Sequence, residues 1–223
     1  VEPSSNVANE CKKKEKCKVL NEFFSNHTVK KIIKNFNRKV DIYYSANVMC
    51  HIENIKLVFS NISNSLSDDG IFVFEDPYMG EVIKKNSYDQ IYDEHVYLFS
   101  LESILRLAEF SNLQLFDAEP QITHGGSMRY YLCKKKRYSQ TKRLKKLIKI
   151  EKKLKLDKLS TYKHFAKKVY KSKIYLVKLL KKLKKDNKNI SAYGATSKST
   201  TIFNFCNIGS NLIDNYYDST KIK

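Results

Sequence analysis

Tryptophan is absent from the 223 residues, and glycine (six) and proline (three) are scarce. No run of 18 or more apolar residues occurs, which argues against a membrane-spanning helix. The five cysteines, Cys11, Cys17, Cys50, Cys133 and Cys206, form no Cys-x-x-Cys pair and are odd in number, so a secreted disulfide scaffold is not expected. The first residues also lack the basic-then-apolar layout of a signal peptide, which makes a cytoplasmic protein without membrane attachment the expectation. Val stands at position 1, and strand-like Tyr216-Tyr217-Asp218-Ser219-Thr220 runs into a basic tail. The sequence therefore reads as a fragment cut at both ends.

The net charge of +19 is confined to one stretch. Residues 134–188 hold 24 lysines and arginines against Glu151, Asp157 and Asp186, while the remainder holds 18 basic and 20 acidic residues. Lysines that alternate with apolar residues normally form a solvated face over a packed stripe. The interleaved Tyr162, Phe165, Tyr170 and Tyr175 would suit RNA or an anionic surface, but no nucleic-acid partner is expected.

Because Gly and Pro are few, each marks a boundary. The run Asp41–Met49 is rich in strand formers, and Ile55, Val58, Phe59, Ile62 and Leu66 then recur at helical spacing. Asp68-Asp69-Gly70 predicts a turn, followed by the apolar strand Ile71–Phe74, which ends in Glu75. A short apolar strand after a helix, ending in an acid, belongs to a parallel sheet in an α/β fold. A helix is expected over 100–111 with Ser100 as its N-cap. Leu113–Glu119 and Ser127–Cys133 predict an antiparallel strand pair. Neither Gly nor Pro occurs between Ser127 and Tyr193, which predicts long helices. A single rod would reach roughly 80 Å, so a break is expected near Asp157–Thr161, with Ser160 capping the second helix. Ile190–Tyr193, the Gly194–Lys198 turn, helix Thr200–Cys206 and strand Leu212–Tyr217 complete a second α/β unit.

The densest chemistry lies in Tyr88-Asp89-Gln90-Ile91-Tyr92-Asp93-Glu94-His95, beyond the carboxyl end of the Ile71–Phe74 strand, where open α/β sheets bind ligands. Tyr92, Glu94 and His95 offer a phenol, a carboxylate and an imidazole. An imidazole near neutral pKa can remove a proton from an acidic carbon, and a carboxylate can hold its tautomer. His51 and Asn47 form a second polar pair at a strand end. Cys50 is not expected to act with His51, because neighbours on a strand point apart. In His124-Gly125-Gly126-Ser127-x-Arg129, two glycines let backbone amides approach an anion and Arg129 can pair with one. Gly194-Ala195-Thr196-Ser197-Lys198 can offer amides and a lysine to phosphate, but it lacks P-loop spacing, so ATP hydrolysis is not indicated. His27 and His164 have no evident partners.

Six segments taken together resemble the S-adenosylmethionine-dependent sugar C-methyltransferases of deoxysugar pathways. They are Val1-Glu2-Pro3-Ser4, Asn47–Ile52, Phe74-Glu75-Asp76-Pro77-Tyr78, Tyr88–His95, His124–Arg129 and Ala192-Tyr193-Gly194-Ala195-x-x-Lys198. They fall in the family's order and span nearly the whole chain. The resemblance implies an α/β fold with three parts: the C-terminal part of a Rossmann-type methyltransferase domain over 1–136, a basic helical linker over 137–188, and the start of a C-terminal α/β domain over 189–223. The family's zinc-binding domain and Gly-rich cofactor loop would lie ahead of Val1, so no metal ligands are expected in the residues present. Poor binding of S-adenosylmethionine by this stretch alone is expected as well. Ser199 stands where the family often has glycine.

The activity implied is transfer of a methyl group from S-adenosylmethionine to a carbon of a nucleotide-linked keto-sugar, through an enolate. The resemblance makes His95 the base, with Tyr92, Glu94 and His51 positioning the sugar, stabilising the enolate or orienting the base. Glu2 and Asn47 would serve the cofactor, Glu2 by bonding its ribose. His124, Gly125, Gly126 and Arg129 would serve the substrate or its surroundings, and Lys198 a nucleotide phosphate. The alternative is a non-catalytic truncated module that binds a nucleotide-sugar, an anionic surface or RNA through its basic helices.

Overall fold

The computed structural model describes residues 1–15 and 18–219, so Cys17 and Thr220 lie outside the described residues. In chain order the elements are α1 (Ser5–Glu15), α2 (Asn26–Phe36), β1 (Val40–Ala46), α3 (Ile55–Ser65), β2 (Leu66–Pro77), α4 (Met79–Lys85), α5 (Leu101–Phe110), β3 (Leu113–Gln121) and β4 (Ser127–Lys134). Then follow α6 (Lys142–Leu154), α7 (Leu159–Lys185), β5 (Ser191–Tyr193), α8 (Ser197–Cys206) and β6 (Asn215–Tyr217). The fold is α/β. One sheet has the order β1-β2-β4-β3, with β1 parallel to β2 and β4 antiparallel to both β2 and β3. A separate two-stranded sheet pairs β5 and β6 in parallel.

Aromatic packing on the central strands builds the main core. Phe72 and Phe74 stack at 5.2 Å, Tyr130 stacks on Phe74 at 4.7 Å, and Phe59 of α3 meets both phenylalanines edge-on. Offset and edge-on pairs of this kind add to what the burial of large rings supplies. Leu101, Ile104 and Ala108 of α5 close the same core. Ser100 caps α5 through a reciprocal bond with Ser103, as its sequence position predicts.

Four expectations shift. Asp68-Asp69-Gly70 does not turn: Val40 pairs with Leu66 before Ile42 meets Ile71, so these residues bulge within a strand that starts earlier. β1 ends at Ala46, and Met49–His51 forms a short 3-10 turn rather than a strand end. The helical break falls at Lys155, which adopts a left-handed conformation, with Lys158 at the next N-cap position. Ser160 lies inside α7 instead of capping it, and the corner is tied by Thr161 Oγ1 to Lys155 O and by Tyr162 OH to Leu156 O.

The basic stretch divides its packing between two bodies. Leu144, Leu147 and Ile148 of α6 join the main core. Buried Glu151 accepts Tyr78 OH (2.8 Å), Leu101 N (2.7 Å) and Glu102 N (2.9 Å), placing a carboxylate at the positive end of α5. Leu180 of α7 instead packs with Cys206, Ile208, Leu212 and Ile213 of the small unit. Between them, Phe165 and Val169 of α7 meet Val82 of α4.

Candidate active site

The segment between α4 and α5 folds over the end of β2 and is pinned from several sides. Tyr97 N donates to Cys50 O (3.1 Å), and Tyr97 OH donates to Glu53 O (2.7 Å). Gln90 is buried, and its Nε2 donates to His124 O at 2.7 Å. Tyr88 tilts against Phe205 of α8 at 5.5 Å. This local order brings His51, Tyr92 and His95 together, although residues 51 and 95 belong to different connections.

His95 is half-buried. Its Nδ1 lies 2.8 Å from Gln90 O, and its Nε2 lies 2.9 Å from Tyr92 OH. A carbonyl can only accept, so Nδ1 carries the proton and the Nε2 lone pair takes the Tyr92 hydroxyl. Burial lowers the His95 pKa, and the charges of His51 and Lys198 push it the same way against the pull of Gln90 O. Burial raises the Tyr92 pKa, with Cys50 and Glu94 adding to it, which keeps the phenol protonated. The His51 ring lies 4.9 Å from that of His95, and its Nδ1 sits 2.7 Å from Glu94 O, which fixes the same tautomer. Glu94 thus meets His51 through its main chain, while its exposed carboxylate acts on His95 only through its charge, which raises the His95 pKa.

Beneath the histidines, Cys50 is 1% exposed and Asp76 is fully buried. Burial raises the Asp76 pKa to about 6, a rise that Cys50 and His51 partly offset. Cys50, His51 and His95 each place a ligand atom within 4.8 Å of the others. The vicinal pair converges because Met49–His51 turns instead of extending. Gln90, Cys50 and Asp76 were within reach of sequence reasoning, since all three lie in the segments that carry the resemblance, but burial and main-chain anchoring leave no pattern in residue type.

The other expected site residues are distributed as follows. Arg129 Nη2 pairs with Glu75 Oε2 at 2.8 Å, with Glu119 further out at 3.8 Å. Gly125 O accepts from Lys85 Nζ (2.6 Å) and Gly126 O from Tyr78 N (3.1 Å). At Gly126, where φ is +132°, an added Cβ would lie 2.7 Å from Glu81 Cβ, so this glycine lets the hairpin approach α4. The His124 side chain is exposed. Lys198, in the first turn of α8, is near enough for its charge to act on His95. A cleft of about 400 Å³ separates Tyr92 and Asp93 from Ala195, Thr196 and Ser197 at the start of α8. A larger groove of about 860 Å³ runs along α7 from Lys173 to Asp186, lined by α7 and Cys206.

Asn47, with φ 54°, follows β1 and donates its amide to Glu75 O at 2.7 Å. The Glu2 carboxylate accepts Ser4 N at 2.7 Å. Among the described residues no hydrogen bond joins Glu2 to Asn47, and these two alone do not enclose a nucleoside. The arrangement of Tyr92 OH against the unprotonated Nε2 of His95, with His51 alongside, is one that can pass a proton.

Residues 1–117, just over half the chain, match the methyltransferase domain family, and the chain belongs to it. Residues 122–223 match the C-methyltransferase C-terminal domain. The chain is similar to the C-methyltransferase NovU of Streptomyces niveus, 27% identical over 183 residues. That alignment covers 82% of this chain and 44% of the relative, so the chain spans less than half the length of the protein it matches. Among solved structures it resembles an S-adenosylmethionine-dependent methyltransferase from Clostridium acetobutylicum (15% identity, 44% of this chain and 59% of that chain, TM-score 0.34). It also resembles the magnesium protoporphyrin IX methyltransferase of Synechocystis (12% identity, 44% and 46%, TM-score 0.34).

Proposed function

We propose that the protein takes part in S-adenosylmethionine-dependent C-methylation of a nucleotide-linked keto-sugar, and that this chain supplies the groups that activate the acceptor carbon. The two domain matches and the likeness to a C-methyltransferase support the reaction class. The observation that carries the reading is the state of His95: Nδ1–H is fixed on Gln90 O, Nε2 holds a lone pair, and Tyr92 OH stands beside it. A carbonyl acidifies the neighbouring C–H. His95 Nε2 takes that proton, and Tyr92 OH, released from the ring, turns to the enolate oxygen. The enolate carbon is the atom methylated. His51 sits across the site with its own tautomer fixed and orients the sugar. The cleft beside Tyr92 admits the sugar, and Lys198 holds a phosphate of the attached nucleotide. His124 O and Gly125 back Gln90, while Arg129, paired with Glu75, serves the surroundings of the site.

In the longest natural form of the protein, His95→Asn should cut methyl transfer by about 10²–10⁴-fold, the usual share of a general base. Substrate affinity should stay nearly unchanged, since the interaction lost belongs to the transition state. Full turnover in His95→Asn, with a collapse in His51→Asn, would move the base to His51.

A further inference from the structure

We propose that Cys50, His51 and His95 form a binding site for one zinc-class divalent cation, on residues other than any the family resemblance assigns to a metal. One ligand atom from each lies within 4.8 Å of the other two. Both rings are prepared in the way that metal-binding imidazoles are: each directs Nδ1 at a main-chain carbonyl, Glu94 O at 2.7 Å and Gln90 O at 2.8 Å. That contact fixes the tautomer and leaves Nε2 unprotonated. A thiol with two imidazoles is a donor set for zinc rather than for magnesium or calcium, which take oxygen ligands.

A second observation points to a cation at this place. Asp76 is fully buried, no group meets full hydrogen-bond geometry at either carboxylate oxygen, and the groups that ease its burial are the Cys50 thiol, the main-chain amides of Cys50 and Met49, and the charge of His51. A buried carboxylate with no ion-pair partner among the described residues is costly and favours positive charge beside it. Zinc bonds of about 2.3 Å to sulfur and 2.0–2.1 Å to nitrogen put tetrahedral ligands about 3.5 Å apart. Binding therefore draws the three ligand atoms together from the present spacing of up to 4.8 Å, and of the two imidazoles only His51 is exposed. On binding, the Cys50 S–H proton leaves to solvent, the thiolate and two Nε2 lone pairs bond the ion, and water keeps the fourth position. The ion displaces Tyr92 OH from His95 Nε2, the same lone pair that removes the substrate proton. Zinc is therefore an inhibitor that competes with proton abstraction, and this consequence alone rests on the reading of His95 as the base.

Titration of the 223-residue chain with Co²⁺, followed by absorbance, tests the site without substrate or methyl donor. A thiolate-to-cobalt charge-transfer band with four-coordinate visible bands should saturate at one equivalent and be bleached by Zn²⁺. Cys50→Ser should remove the charge-transfer band. His95→Asn should weaken Co²⁺ binding by at least about tenfold, in line with the sensitivity of metal sites to their supporting groups. Cys133→Ser and Cys206→Ser should change neither. Cys50 is buried, so if Cys50→Ser fails to fold the His95→Asn result decides. The proposal is overturned if no charge-transfer band forms, if it persists in folded Cys50→Ser, or if His95→Asn binds Co²⁺ as tightly as the parent.

Discussion

In the four-stranded body, Phe59, Phe72, Phe74 and Tyr130 are at most 1% exposed and pack ring against ring. In the small unit built on β5, α8 and β6, Tyr193, Tyr216 and Tyr217 face solvent, and the buried cluster amounts to Leu180, Cys206, Ile208, Leu212 and Ile213. The candidate site draws on both in unequal ways. Asn47 and Asp76 stand at the ends of body strands, Cys50 and His51 lie in the short turn after β1, and Gln90, which orients His95, is buried against the hairpin loop. The small unit contributes a charge, Lys198, and one side of a cleft. Precise placement of His95 thus depends on the heavily packed region, and one side of the cleft beside it on the lightly packed one.

Deleting a central ring should break this contrast most directly. Phe74→Ala should cost about 3–5 kcal/mol in urea unfolding, because the surrounding sheet cannot close the cavity. Leu212→Ala should act differently, by loosening amide-exchange protection over residues 190–219 while the global midpoint moves little. Equal global losses from both substitutions would mean that the regions unfold as one unit.

The next effect concerns Glu151, which ties α6 to α5. Glu151→Ala removes the acceptor for Tyr78 OH and two helix-start amides and should cost about 3 kcal/mol. A loss under about 1 kcal/mol, read by the same denaturation, would place α6 outside the body.

Sequence patterns anticipated the body better than the site. The continuous apolar run Ile71–Phe74, the helical spacing from Ile55 to Ile62 and the cap at Ser100 are local signals that the structure follows, whereas Leu66, expected on the same helix face, opens β2 instead. Glu151 could not be singled out within a lysine-rich stretch, since its role appears only when α6 crosses α5. The same holds for Cys50, whose approach to His95 depends on a three-residue turn and a contact across 45 positions. Tyr92 and His95, only three residues apart, were legible because one short turn joins them.

A smaller effect distinguishes the surface of the body from its interior. Burial opposes ionisation of Asp117, but hydrogen bonds from Arg143, Thr141 and Ala118 N more than offset it and lower its pKa. A depressed carboxylate stabilises the fold above its unfolded pKa and loses that contribution as pH falls through the folded value. Asp117→Asn should therefore cost about 1 kcal/mol at pH 7, and the difference from the parent should vanish in strong acid. A pH-independent difference would assign the loss to altered packing of α6 on β3.

The central claim is that His95, held by Gln90 and facing Tyr92, removes a proton from carbon. Exchange of the acidic C–H of a nucleotide-linked keto-sugar with deuterated solvent reads that step alone, with no methyl group transferred. The longest natural form of the protein should catalyse the exchange, His51→Asn should retain part of it, and His95→Asn should fall to the uncatalysed rate. Exchange at the parent rate in His95→Asn would contradict the account.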